Sequence, residues 1–139
     1  MIRQAIQVAC QPEKAFDVFT TQIDRWWPAE RRHLSGKTTV KIEPSGRFWE
    51  ENESGQVVEL GKVTTWEPPQ KLVLDFYPGT GPDAPTEATI TFTPTADGTR
   101  IEVLHQPTER SKHLFDQMAP AYDSSWTLLL KALETLVKP

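Results

Sequence analysis

Large apolar residues recur along this chain in two rhythms. Near its end, Trp126, Leu129, Leu130, Leu133, Leu136 and Val137 stand at i, i+3, i+4, i+7, i+10 and i+11. That is one stripe of a 3.6-residue period, and it predicts a helix over Tyr122–Val137. Lys131, Glu134, Thr135 and Lys138 fall off the stripe. Burying six such side chains, at roughly 1.5–3 kcal/mol each, gives a gross gain of about 10–15 kcal/mol. A domain's whole net stability is about 5–15 kcal/mol. The helix must therefore lie on something, and most of the preceding chain alternates with a period of two.

Ile2 to Ala9 alternates, with Ile2, Ile6 and Val8 on one face beside Gln4, and predicts a strand. Pro12 suits a first helical turn. Ala15, Phe16 and Phe19 follow at helical spacing, so residues 12–20 predict a short helix. Ile23, Trp26 and Trp27 suggest a second, stopped by Pro28. Residues 28–38 are polar and irregular. Six strands then follow: around Val40 and Ile42; Phe48–Glu53, closed by a turn at Ser54-Gly55; Val57–Trp66; one carrying Leu72, Leu74 and Phe76; one carrying Ile90 and Phe92; and one carrying Ile101, Val103 and His105. Gly61 marks a bulge or a close approach in its strand. Pro68-Pro69, residues 78–85 and Asp97-Gly98 break the run. Leu114, Phe115 and Met118 have helical spacing, but Pro120 predicts either a short helix ending before it or a helix that bends there. Asp123 would cap a helix beginning at Ser124. Six consecutive strands make an antiparallel meander whose apolar face needs the final helix as cover.

The length, 139 residues, suits one domain, residues 1–139, with a real core. A net charge of −4 disfavours a nucleic-acid partner. The single cysteine, Cys10, excludes an internal disulfide and fits a reducing compartment. No apolar leader opens the chain and no run approaches a membrane span, so the expectation is a cytoplasmic protein with no membrane partner. Asn52-Glu53-Ser54 matches a glycosylation pattern that carries no meaning without secretion.

Gly36-Lys37-Thr38 resembles the tail of a phosphate-binding loop, but Arg31 stands where that loop needs glycine, and a strand follows. Arg31, Arg32 and His33 either form a solvated loop or sit at a pocket mouth and attract an anion. No histidine or cysteine spacing suits a metal, and no nucleophile elbow occurs; no cofactor, metal or catalytic residue is assigned. Cys10 reads as structural. Glu109 and His113 read as an exposed helix pair. Five tryptophans either pack the core or place two or three rings on an apolar pocket. In Phe48–Glu53, either strand register puts a carboxylate inward. Glu50 is favoured, because its register buries Phe48. Such a group lies at the wet sheet end, pairs with an arginine, or orients a ligand or moves a proton, and burial would raise its pKa. His105, beside Ile101 and Val103, is a satisfied core residue or a pocket contact titrating near neutrality. Tyr122 offers its hydroxyl to a ligand or anchors the helix start.

Three stretches are similar to one known family. They are Phe16 through Trp27-Pro28; Gly61-Lys62-Val63-Thr64-Thr65-Trp66-Glu67-Pro68-Pro69 continuing to Leu72 and Phe76; and Tyr122–Leu133. The chain thereby resembles the START-like (SRPBCC) superfamily, in the branch named for the activator of heat shock protein 90 ATPase homologue. Family members often carry glycine where Ser125 stands. The resemblance implies an α+β helix-grip fold: a curved antiparallel β-sheet wrapped around a long C-terminal helix, with two short helices after the first strand. It also implies an apolar cavity between sheet and helix. The candidates for its contacts are Trp26, Trp27, Glu50, Phe76, Phe92, His105, Tyr122 and Trp126. Three functions follow as expectations. The first is binding of a small, largely apolar molecule. The second is an enzyme on a cyclic or polyketide-like substrate, using Glu50 and His105 in one pocket. The third is a chaperone-associated interaction module, which requires a contiguous exposed apolar patch. A homodimer through an exposed sheet edge is compatible with each.

Overall fold

A computed structural model describes residues 1–137; Lys138 lies outside the described residues. The strands are β1 (Ile2–Val8), β2 (Thr38–Ile42), β3 (Arg47–Asn52), β4 (Val57–Glu67), β5 (Lys71–Phe76), β6 (Thr86–Thr95) and β7 (Gly98–Pro107). Helix α1 spans Pro12–Phe19 and helix α2 spans Lys112–Leu136. Single 3₁₀ turns cover Ile23–Arg25 and Ala29–Arg31. The first is the expected second short helix, shortened to one turn; the second falls within the stretch expected to be irregular.

The strands form one curled antiparallel sheet in the order β1-β7-β6-β5-β4-β3-β2, a meander closed by β1 against β7. Its inner face carries Leu72, Leu74 and Phe76 of β5, Ala88, Ile90 and Phe92 of β6, and Ile101, Val103 and His105 of β7, all buried. Helices α1 and α2 cover that face. On β1 the polar Gln4 shares the inner face because it ties the strand to α2: its Nε2 donates to the Asp123 carbonyl at 2.8 Å and to its carboxylate at 2.7 Å.

Two irregularities re-aim β4. The register against β3 shifts between Phe48 and Trp49, with Leu60 as the extra residue, and again against β5 between Val63 and Thr65. Gly61 lies at the first: a β-carbon there would overlap the Asp75 carbonyl oxygen, and Phe48 lies just beyond. The glycine thus marks both a bulge and a close approach.

The last helix begins ten residues earlier than the apolar stripe predicts and runs through Pro120 without a break. Proline removes the bond its nitrogen would make to the Asp116 carbonyl. Both residues are exposed, so water can take that carbonyl and the helix survives. Asp123 is therefore no cap; it lies mid-helix and accepts from Gln4.

The outer edge of the sheet at β2 is covered by polar groups. The Val40 N–H donates to Asp24 at 2.9 Å, and the Thr38 carbonyl accepts from Arg32 at 3.0 Å. Asp24 and Arg32 pair with each other at 2.7 Å. Capping the outward groups of an edge strand removes its template for a further strand.

Candidate functional site

Helix α2 presents two adjacent stripes. Phe115, Tyr122, Trp126, Leu129, Leu130 and Leu133 are buried. Beside them, Met118, Ala121, Tyr122, Ser125 and Leu129 stand at i, i+3, i+4, i+7 and i+11, and they form one wall of a cavity of about 310 Å³. The floor is Phe76 at the end of β5, with Pro78 and Gly79 of the following loop. The opposite wall is Trp27, Glu30, Arg31, Arg32 and His33. The volume equals about ten waters' share of liquid, taking ~30 Å³ each, and lies at the small end of ligand pockets.

The opposite wall belongs to an irregular segment that side chains hold in place. Arg32 donates to the carbonyls of Asp24 at 2.9 Å, Trp27 at 2.9 Å and Thr38 at 3.0 Å, besides its ion pair with Asp24. From the sheet side, the Glu50 carboxylate accepts the backbone N–H groups of His33 at 2.8 Å and Leu34 at 3.1 Å. His33 Nδ1 stands 3.5 Å from the same carboxylate. Glu50 is inward, as the Phe48 register requires, and fully buried. Burial pushes its carboxyl up, but the two amides, aided by the Thr38 hydroxyl and the His33 ring, outweigh burial and hold it below its usual range. The expectation of a raised pKa is thereby corrected: backbone donors satisfy the charge.

His105 sits at the base of the α2 packing, ringed by Phe76, Phe115, Tyr122 and Trp126 at centroid distances of 5.3, 5.5, 4.4 and 6.1 Å. Trp126 Nε1 donates to His105 Nδ1 at 3.0 Å. An indole nitrogen can only donate, so Nδ1 must be unprotonated. The ring's proton is then on Nε2, which donates to Thr86 Oγ1 at 2.7 Å; Thr86 in turn donates to the Phe76 carbonyl at 3.1 Å. Burial, with a smaller contribution from the N-terminal amine, lowers the His105 pKa to about 4. The ring does not titrate near neutrality.

Of the eight candidates, Trp27, Phe76 and Tyr122 line the cavity, and Trp26, Glu50, Phe92, His105 and Trp126 do not. Trp26 donates to the Val18 carbonyl at 2.8 Å and packs on Phe19, while Phe92 packs on Phe16 and Phe19, so both complete the α1 end of the core. Tyr122 donates its hydroxyl to the Pro78 carbonyl at 2.8 Å, fixing the floor loop against α2. Burial raises its pKa, with the Thr80 and Thr86 hydroxyls acting the other way. Trp49 lies on the outer face under the Arg47 guanidinium, 4.1 Å from the ring centre, and Trp66 meets Phe16 edge-on. Burial raises the pKa of half-buried Cys10, which leaves it a thiol. Among the described residues, no three His, Cys, Asp or Glu side chains gather as a metal site, and no helix is long and apolar enough to cross a membrane.

The lining residues that sequence reasoning missed are Met118, Ala121, Ser125, Leu129, Glu30 and the 78–79 turn. For Met118, Ala121, Ser125 and Leu129 the signal was the second stripe, which becomes visible only when the helix is read through Pro120; Glu30 and the 78–79 turn lie off α2 and carried no periodic signal.

A curled seven-stranded sheet gripping one long helix, with a cavity under that helix, defines a START-like helix-grip domain. Within that class, the chain belongs to the family of activator of Hsp90 ATPase homolog 1-like proteins, whose sequence profile matches residues 9–138. Solved structures share the fold. A protein from Chromobacterium violaceum is 22% identical with a TM-score of 0.65, covering 99% of this chain and 97% of its own. One from Mesorhizobium loti is 20% identical with a TM-score of 0.64, covering 97% and 94%. The Aha1 dimer from Colwellia psychrerythraea, a solution structure, is 19% identical with a TM-score of 0.62, covering 98% and 94%. No curated protein matches the chain at a significant level.

Proposed function

We propose that this protein binds a small, largely apolar molecule in the cavity beneath α2. The observation that carries the reading is the lining: Trp27, Phe76, Met118, Ala121 and Leu129 present apolar surface around about 310 Å³, with a few polar groups at the rim, as ligand pockets do. Family membership supports it. The catalytic reading has less support, because Glu50 and His105 lie outside the lining and direct their polar atoms into the protein. The interaction-module reading is also weaker: the exposed large apolar residues among those described are Met1, just before β1, and Val57, at the start of β4, and those strands lie four places apart in the sheet. Capping of β2 by Asp24 and Arg32 argues against a dimer through that edge.

Two neutral probes, naphthalene-2-carboxamide and 1-decanol, test the reading by isothermal titration. One-to-one binding to the wild type is expected from at least one. Ala121 is exposed to solvent on α2, so Ala121→Phe should fold normally, insert its ring into the cavity and abolish that binding. Binding unaffected by Ala121→Phe, in a variant with an unchanged melting temperature, would place the ligand elsewhere. The absence of binding by both probes and by their corresponding carboxylates would count against the cavity as a ligand site.

A further inference from the structure

The two walls of the cavity differ in chemistry. The α2 wall and floor are apolar at Met118, Ala121, Leu129 and Phe76. The opposite wall carries two guanidinium groups. Arg32 is committed to Asp24 and to three carbonyls. Arg31 makes no ion pair and no side-chain hydrogen bond among the described residues, yet it stands on the cavity wall, exposed to water. Glu30, the acidic member of the lining, also borders a second groove lined by Arg25 and Lys131, whose side chains are engaged by Gln22 and Glu134. Facing the arginines from α2 is Ser125, whose hydroxyl makes no hydrogen bond among the described residues. A guanidinium carries five donors and no acceptor, and its planar fork suits a carboxylate.

We propose that the ligand is an amphiphile with a single anionic group, its apolar body lying on Met118, Ala121, Leu129 and Phe76 and its anion held by Arg31 at the rim. This rests on the cavity-binding reading above and specifies which apolar molecules the cavity selects. Ser125 supplies a second polar contact on the facing wall. A neutral hydrocarbon would leave the Arg31 side solvated and gain nothing from it.

The test extends the two neutral probes to their acids: naphthalene-2-carboxylate against its amide, and decanoate against 1-decanol. The aromatic and aliphatic pairs distinguish a flat aromatic body from a flexible aliphatic one. In the wild type the acid of the preferred pair should bind about tenfold tighter than its neutral counterpart, the scale of one charge-assisted hydrogen bond. Added salt should weaken the acid and leave the neutral probe unchanged. Arg31→Gln should erase the acid's advantage while keeping the neutral affinity. Arg31 is exposed and unpaired, so the variant should fold as the wild type does. Equal binding of acid and neutral probe, or a preference that survives Arg31→Gln, would overturn the anionic head and leave the cavity reading standing. Binding by neither pair, or binding indifferent to Ala121→Phe, would overturn both.

Discussion

Acidifying from neutrality should destabilise this protein partly through His105, beginning at a pH where carboxylates are still ionised. The native ring is held neutral between Trp126 Nε1 and Thr86 Oγ1, and its pKa falls from 6.5 to about 4. Between those values the unfolded chain binds a proton that the folded chain refuses. Stability therefore rises with pH across the window and is lost as pH falls from 6.5 towards 4. That fall corresponds to about 3 kcal/mol in full, of which about 2 kcal/mol lies between pH 7 and pH 4.5. His105 is fully buried, so little solvent screening reduces this figure. The control is His105→Gln, whose amide can accept from Trp126 and donate to Thr86 but cannot titrate. That variant loses ring contacts and starts less stable, so the informative quantity is the slope. Urea unfolding at pH 7, 6, 5 and 4.5 should show the wild type losing about 2 kcal/mol more than the variant, since other titrating groups cancel in the difference. Parallel pH profiles for the two proteins would refute the relay, as would a His105 ring resonance, assigned by its absence from His105→Gln, that titrates near 6.5 in the folded protein.

Two further changes probe the frame around the cavity. Glu50→Gln exchanges a charged acceptor for an amide whose NH₂ must face a backbone donor; it should cost about 2 kcal/mol at neutral pH and lower the melting temperature by about 5–10 °C. Because the folded carboxyl titrates below its ordinary 4.5, the gap between variant and wild type should hold above that pH and close as pH falls below it; a gap that widens in acid would contradict the backbone-donor account. Pro120→Ala restores an N–H for the Asp116 carbonyl on the exposed side of α2 and should raise the urea midpoint, by less than the roughly 3 kcal/mol helix penalty of proline because the unfolded chain also gains freedom; a lowered midpoint would show that the ring itself is needed there.

Local rhythm was enough to read the fold. A strand's period of two assigns each side chain to a face without knowledge of the partner, so Phe48 in the core was sufficient to turn Glu50 inward, and Leu72, Leu74, Phe76, Ile101, Val103 and His105 are all buried on the inner side. The Trp126–Leu133 stripe likewise identified the buried face of α2. The site was less legible, because its properties come from groups far apart in sequence. Glu50 is quenched by amides 16 and 17 residues away, and His105 is held neutral by an indole 21 residues on and a hydroxyl 19 residues back. No periodicity records such a partner, and the partner decides whether a buried polar group is reactive or satisfied.

The sequence by itself determined the succession of the six meander strands, the inward faces and the need for a covering helix, while the pairing of β1 with β7 came only from the fold. Only the tertiary structure decided where α2 begins, because Pro120 is tolerated when the carbonyl it leaves open points to solvent. Only it brought Glu30, Arg31, Arg32 and His33 across from the second stripe of α2 to make a cavity. A cavity is the space that packing leaves unfilled, and it has no residues of its own until distant surfaces are set at a fixed separation.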